Sequence, residues 1–169
     1  MTPASGRRRA VSLLHGLALS VCLGGPIVFA AAMAPAARRA ASAGQAGAIV
    51  GEALTNLSVL LQGAFAVLFA TTLSQTRESR RRRIVIVARR APVLGFFCAM
   101  VTASLVVPAL EKLRPALADP GVRARFDRLH RSSVTLLALE LACALLVLWI
   151  STEWSVPPEP AVPVPPKLP

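Results

Sequence analysis

The chain has 169 residues, of which 54% are hydrophobic and only 16% are charged, whereas a soluble globular domain carries about 25% charged residues. The apolar residues fall in four blocks, each long enough to cross a bilayer at about 20 residues per span. The net charge of +11 does not indicate nucleic-acid binding, because the arginines lie at the ends of the apolar blocks. The composition therefore predicts an integral membrane protein and excludes an ordinary soluble domain.

Hydropathy predicts an all-α integral membrane bundle of four transmembrane helices within residues 11–151, with spans at 11–33, 49–73, 91–110 and 132–150. Residues 1–10 are expected to form a basic N-terminal tail, and residues 152–169 a disordered Pro-rich tail. A cleaved secretory signal is the alternative for the first block. We favour an uncleaved span, because the apolar run is long for a signal and three more spans follow. No internal sequence repeat is recognisable.

Small residues in the first span predict a helix-packing face. Gly16, Ser20 and Gly24 recur every four residues, so they share one side of a helix and would let another helix approach closely. Gly24 and Gly25 are followed by Pro26, which has no backbone N–H and is expected to kink the helix.

In the second span, we expect a small or polar face to point into the bundle, with the uncharged amide of Gln62 at mid-depth. The members of this face are Thr55, Val59, Gln62, Ala66 and Ala70. The segment that follows, residues 74–90, is the most basic of the chain and contains seven arginines. It is expected to determine topology and to lie near anionic lipid headgroups.

The third span carries an unbroken stripe of small residues with a period of four, which predicts close helix packing. Its members are Ala91, Gly95, Ala99 and Ala103. Asp119-Pro120-Gly121 is then expected to form a turn. Residues 122–131 are expected to form a short amphipathic helix along the membrane surface, before the fourth span.

Counting Lys and Arg predicts the orientation. With four spans, the N-terminus, residues 74–90 and the C-terminal tail share one side and hold eleven positive charges, against eight on the other side. The positive-inside rule therefore predicts a multi-pass protein of the cell membrane with both termini in the cytoplasm.

Glu140 is the only charged residue between positions 132 and 150. Ten Leu, Val or Ile residues of this block contribute about −3 to −6 kcal/mol to insertion, against about +3 kcal/mol for a central carboxylate. The helix can therefore cross the bilayer with its acid, which is expected to face the bundle. One hypothesis is a proton- or cation-handling group. The other is a structural hydrogen bond to Gln62 at matching depth.

His130 lies ten residues before Glu140. On a helix this spacing separates the two by about 15 Å along the axis and by about 80° around it. They cannot ligate one ion. Two interpretations stay open, namely two stations of a proton relay, or a histidine that anchors the helix end at the membrane surface.

Cys22, Cys98 and Cys143 lie near the middle of three different spans. If their faces converge, they would form a soft metal site suited to Cu(I), with Glu140 nearby. The alternative is that each cysteine packs as a small apolar residue. Nucleotide-binding, serine-hydrolase and zinc-protease motifs are missing from the sequence, so we predict that the protein is not an enzyme.

Three segments resemble the domain of unknown function 4149 family, the transmembrane protein 205-like four-helix membrane proteins. They are residues 15–35 (HGLALSVCLGGPIVFAAAMAP), 43–51 (AGQAGAIVG) and 126–133 (FDRLHRSS). The resemblance covers residues 12–150, and Gly24, Gly25, Pro35 and His130 are its family-like positions. It implies four spans and no established enzymatic activity, with an association with copper or metal-drug resistance for some relatives only. Glu140 has no place in the family pattern.

These observations predict a small membrane protein with a binding, accessory or structural role, alone, as a homo-oligomer or with a membrane-protein partner. The small-residue stripes alone are sufficient for such a role. The alternative is a protein that handles or transports an ion or a metal, with copper or protons as the candidates. That role requires Glu140, His130 and the three cysteines to converge.

Overall fold

The computed structural model describes residues 3–40, 43–76 and 82–155, and these form an all-α structure. The α-helices are α1 (Pro3–Val28), α2 (Ala34–Ala40), α3 (Ala43–Thr76), α4 (Arg82–Val101), α5 (Val107–Leu113) and α6 (Pro120–Ser155). A π-helical turn, Phe29–Met33, joins α1 to α2, and a second, Thr102–Val106, joins α4 to α5. Arg77, Arg80 and Arg81 of the basic segment, and the Pro-rich tail from residue 156, lie outside the described residues.

The long helices form a four-helix bundle. The main packing pairs are α1 with α3, α3 with α4, α4 with α6, and α6 with α1, which closes a ring. Consecutive long helices are antiparallel, so α3 and α6 run in the same direction on opposite corners of the ring. The bundle therefore has a termini end, where α1 begins and α6 ends, and a loop end, where α2 and α5 lie.

A proline explains each π turn. Pro35 and Pro108 both lie two residues after the last residue of a π turn. A proline inside a helix has no N–H to donate, and its ring clashes with the carbonyl four residues earlier. Widening the preceding turn relieves that clash. Pro26 lies inside α1, which continues to Val28, and the π turn follows it. The kink at Pro26 stays a prediction.

The order of elements repeats. A long helix, a π turn, a short helix and a second long helix occur in residues 3–76 and again in residues 82–155, where a 3-10 turn, Arg114–Ala116, is added before the second long helix. Pro35 and Pro108, which follow the two π turns, are the residues that correspond between the two halves. Two prolines alone do not make a repeat that is recognisable in the sequence. The halves pack as two helical hairpins of the same orientation.

Two helices extend beyond their predicted bounds. Residues 3–10, expected as a basic N-terminal tail, are the first residues of α1 (Pro3–Val28). Residues 122–131 do not form a separate surface helix, because α6 is continuous from Pro120 to Ser155. The predicted turn is the start of this helix. The Asp119 carboxylate accepts hydrogen bonds from the amides of Gly121 (2.7 Å) and Val122 (3.4 Å), and Pro120 takes the first helical position.

The stripe on the third span packs as predicted. Ala91 and Gly95 are buried and Ala99 is fully buried, while Ala103 is partly buried. The Phe65 ring of α3 lies directly against the backbone of Gly95, and a Cβ atom at that position would overlap the ring. This contact sets how closely α3 and α4 approach.

The predicted packing face of the first span is wrong. A Cβ atom added at Gly16 or Gly24 would meet nothing within 4 Å, and Ser20 is exposed. The inward face of α1 instead carries His15, Leu19, Cys22 and Pro26. Of the predicted glycines, Gly25 does pack, because an added Cβ would lie 2.8 Å from the Leu57 side chain of α3.

The exterior of the bundle is apolar. Exposed side chains include Leu13 (75%), Leu17 (66%), Leu105 (64%) and Trp149 (62%). Within the described residues, four helical stretches are long and apolar enough to span a membrane: Arg9–Ala37, Gln45–Thr76, Ile84–Ala116 and Pro120–Thr152. An apolar surface of this extent is typical of helices that face lipid.

The Phe65–Gly95 contact predicts opposite effects for one substitution at two glycines. Gly95→Ala forces the Phe65 ring to move and should cost about 1–3 kcal/mol of unfolding free energy, as over-packing does. Gly63→Ala, on an open face of α3, should stabilise by up to about 1 kcal/mol through helix propensity. Thermal unfolding in detergent measures both, and Phe65→Leu should restore the stability lost in Gly95→Ala. Equal shifts at the two glycines would show that the ring does not lie on Gly95.

Candidate functional site

Glu140 lies on the inward face of α6 and is 1% exposed. Neither of its carboxyl oxygens has a hydrogen-bond partner among the described residues. Buried polar side chains in proteins are almost always hydrogen-bonded, and an exception calls for an explanation such as a bound ion or a catalytic role. The acid therefore points into the bundle, as the sequence predicts, but it is not satisfied there.

Buried polar groups of the other helices do not satisfy Glu140. The Thr102 hydroxyl lies close to the carboxyl group, outside hydrogen-bonding geometry, and donates instead to the Cys98 carbonyl at 3.0 Å. The Ser58 hydroxyl of α3 is 1% exposed and also lacks a partner among the described residues. On α1, the Cys22 carbonyl has no amide donor four residues later, because that residue is Pro26.

The predicted hydrogen bond between Glu140 and Gln62 is wrong. Gln62 is half-buried, and Val59, Ala66 and Ala70 of its predicted face are exposed, so that face turns away from the centre of the bundle. The inward face of α3 is offset from the predicted one. Its members are Leu54, Ser58, Leu61, Phe65, Leu68 and Thr72. The wrong face was predicted because Gln62 was matched to Glu140 by depth alone. The depth of a residue does not determine its angle around the helix axis.

His130 does not approach Glu140. It is exposed and stacks on Phe126, with ring centroids 6.4 Å apart and planes 9° apart. This arrangement favours the interpretation of His130 as an anchor of α6 among its neighbouring arginines. It gives no support to a relay from His130.

The three cysteines do converge on the interior. Cys22 of α1, Cys98 of α4 and Cys143 of α6 are each at most 5% exposed, and all three lie near enough to Glu140 to interact with its charge. Within the parts of the chain that the structure describes, however, no three His, Cys, Asp or Glu side chains are placed to hold a metal ion. The predicted tri-cysteine copper site is therefore not formed, and the thiols pack as small buried groups.

A second polar group, absent from the sequence analysis as a site, joins three helices near the termini end. The His15 ring of α1 is 6% exposed. Its Nδ1 is 2.9 Å from the Thr71 hydroxyl of α3, and its Nε2 is 2.9 Å from the Ser151 hydroxyl of α6. We call these three residues the histidine clasp.

The two hydroxyls of the clasp are also tied to their own helices. The Thr71 hydroxyl lies 2.8 Å from the Val67 carbonyl, and the Ser151 hydroxyl lies 2.8 Å from the Val147 carbonyl. Because a neutral imidazole has one N–H and one acceptor nitrogen, one of these hydroxyls accepts from the ring and the other donates to it. The ring therefore meets two fixed oxygens and locks the rotation of α1 against α3 and α6. The signal in the sequence is a lone histidine near the start of an apolar block, with hydroxyl residues at matching depth in two other blocks.

No protein-family model, curated protein or solved structure matches this chain. The resemblance to the domain of unknown function 4149 family stays a prediction.

The histidine clasp predicts that the two histidines differ in their contribution to stability. His15→Ala removes both hydrogen bonds and leaves space among three helices, so it should destabilise by about 1–3 kcal/mol or more. His130→Ala is the matched control and should change stability by less than about 0.5 kcal/mol, because the ring is exposed. Unfolding of both variants in detergent checks this. A loss for His130→Ala as large as that for His15→Ala would contradict the clasp.

Proposed function

We propose that this chain is a small multi-pass membrane protein that binds and releases a proton at Glu140, within its four-helix bundle. The observation that carries the proposal is the buried carboxyl group of Glu140, whose two oxygens have no hydrogen-bond partner among the described residues. In a membrane-spanning helix, an ionisable residue that faces the bundle marks an ion or proton site by default.

The surroundings favour a proton over other occupants. An ionised carboxylate without a cation is costly to bury, whereas a neutral carboxylic acid costs far less. The Thr102 hydroxyl, which lies close to the carboxyl group, carries no charge that would compensate an ionised Glu140. A proton on Glu140 removes the negative charge itself, so that no cation is needed. No Lys or Arg of the described helices is buried beside it.

The competing roles explain less. A structural hydrogen bond would give the acid a partner, and Glu140 has none among the described residues. A purely accessory role, as monomer or homo-oligomer, needs only the packing stripes and does not explain why an acid is buried in the bundle. Copper binding needs a group of ligands that the described residues do not form.

The membrane setting supports the same proposal. Four helices with lipid-compatible exteriors place Glu140 near the middle of the fourth span. We propose the cell membrane as the location, with both termini in the cytoplasm, on the basis of the Lys and Arg distribution. In this orientation the histidine clasp lies toward the cytoplasm and Glu140 lies about 16 Å deeper.

Reaction with a lipid-soluble carbodiimide tests the proton site directly. The protonated carboxyl group transfers its proton to one carbodiimide nitrogen while its oxygen bonds to the central carbon, and the acyl group then migrates to nitrogen as a stable acylurea. We expect one adduct per chain at Glu140 in membranes at neutral pH, and a slower reaction as the pH is raised, because the ionised form does not take part. Intact-mass and peptide analysis measure it.

The control for this reaction is Glu140→Gln, which should give no adduct. The exposed acids Glu52, Glu111 and Asp127 should react only with a water-soluble carbodiimide. An unlabelled wild-type protein, or labelling that does not fall as the pH is raised, would contradict proton binding at Glu140.

The site also predicts that Glu140→Leu stabilises the fold. The substitution breaks no hydrogen bond to a described residue and removes the cost of an unpartnered buried polar group, which is about 1–3 kcal/mol. Gln62→Leu, on the half-buried face of α3, should change stability by less than about 0.5 kcal/mol. Unfolding in detergent compares them. A loss of stability in Glu140→Leu would mean that the acid has a structural partner.

A further inference from the structure

We infer that Glu140 exchanges its proton with the loop end of the bundle, past the buried hydroxyls of Ser58 and Ser133, and is sealed from the termini end. The inference rests on the proposed proton binding at Glu140 and adds the route by which the site is reached. It follows from the depths of the buried side chains and from what lies above and below the acid.

The histidine clasp fixes the relative depth of the helices. Because His15 bonds to both Thr71 and Ser151, the parallel helices α3 and α6 are in register there. Glu140 lies eleven residues from Ser151, or about 16 Å, and Ser58 lies thirteen residues from Thr71, or about 20 Å. Ser58 is therefore at nearly the depth of Glu140, slightly nearer the loop end.

Between these two depths the core is apolar and closed. Leu61, Phe65 and Leu68 of α3 and Ala144 of α6 are 0% exposed, and Val147 is 3% exposed. We call these five residues the apolar plug. The plug belongs to the hydrophobic core cluster of the bundle, and the Phe65 ring leaves no gap against Gly95. Water and protons from the termini end would have to cross about 10 Å of this packing.

The polar side chains near the termini end lie on one side of the apolar plug only. His15, Thr71 and Ser151 form the clasp, and the Arg89 guanidinium donates to the Thr76 hydroxyl at 3.1 Å. All of them lie on the far side of the plug from Glu140. They do not form a path to the acid.

On the other side of Glu140, buried hydroxyl groups lie among buried apolar side chains, which include Leu54, Val106, Val107 and Leu110. Ser133 lies seven residues before Glu140, which places it on the same face of α6, about 20° around the helix and about 10 Å along it. It is 5% exposed, and its hydroxyl donates to the His130 carbonyl at 2.7 Å. Ser58 presents an unpartnered hydroxyl. Such groups are what a short file of buried water needs for its hydrogen bonds.

The backbone is also least regular on this side. Thr102, beside Glu140, is the first residue of one π turn. Phe29, the first residue of the other, is fourteen residues from His15 and so about 21 Å from the clasp. Both π turns therefore lie between the depth of Glu140 and the loop end. Turns of this kind break the regular helical ladder and are frequent at functional sites.

Thiol accessibility tests the route. In a background of Cys22→Ala, Cys98→Ala and Cys143→Ala, single cysteines are introduced on the route, in the plug, and at an exposed marker for each end. The four core variants are Ser58→Cys, Ser133→Cys, Leu68→Cys and Val147→Cys; the markers are Arg123→Cys for the loop end and Ser74→Cys for the termini end. A charged, membrane-impermeant methanethiosulfonate is applied to vesicles of each orientation.

We expect Ser58→Cys and Ser133→Cys to react from the side that labels Arg123→Cys, and the two plug variants to stay unreactive from both sides. Reaction of Leu68→Cys or Val147→Cys from the side that labels Ser74→Cys would overturn the inference, and so would unreactive cysteines at both route positions. Ser133→Cys carries the test if Ser58→Cys does not fold.

The carbodiimide reaction in the same background separates the two proposals. Labelled Glu140 with an unreactive route means that the proton site stands and the route is wrong. Reactive route cysteines with unlabelled Glu140 mean that the cavity is reached from the loop end but holds no neutral acid, which overturns both the proton site and the exchange inferred here.

Discussion

The contact between the Phe65 ring and the Gly95 backbone determines how the interior of this bundle packs. The missing side chain at Gly95 allows α3 and α4 to approach closely, and the ring fills the space with an apolar group that has no exposed surface. Leu61, Leu68 and Ala144 complete a closed layer around it. Because the side chains of this layer have no exposed surface, a polar group beside it needs a hydrogen-bond partner inside the bundle. The unsatisfied state of Glu140 is a consequence of that packing.

The bundle therefore has buried polar groups at two depths, and the two sets differ in whether their members have hydrogen-bond partners. Near the termini, His15 satisfies hydroxyls from two other helices and holds three of the four long helices together. In the middle of the bundle, Thr102 lies close to Glu140 and Ser58 lies at a similar depth, but neither completes a hydrogen bond to the acid. The first level is suited to stability, because each group has a fixed partner. The second level lacks a hydrogen-bond donor, and a proton that binds to and dissociates from Glu140 is the simplest group that supplies one.

The sequence was sufficient to predict the four long apolar helices, the stripe from Ala91 to Ala99 and the inward direction of Glu140, because length, period and charge each determine them directly. It was insufficient for the rotation of α1 and α3. Gly16, Ser20 and Gly24 share a face of α1, as predicted. Which face of a helix packs against its neighbours depends on all of its side chains, however, and in α1 the buried face is the one that carries Leu19 and Cys22. Gln62 was misplaced for the same reason. The histidine clasp depends on three residues separated by up to 136 positions, a relation that no local pattern contains.

The central claim is that Glu140 is a neutral acid that can lose its proton. Infrared difference spectroscopy of the protein in bilayers tests it most directly, by subtracting the spectrum of Glu140→Gln from that of the wild type across a pH titration. The account predicts a carbonyl band of one protonated carboxylic acid at neutral pH, which gives way to carboxylate bands as the pH is raised. A carboxylate signal at neutral pH that persists on acidification, with no carbonyl band lost in Glu140→Gln, would contradict it.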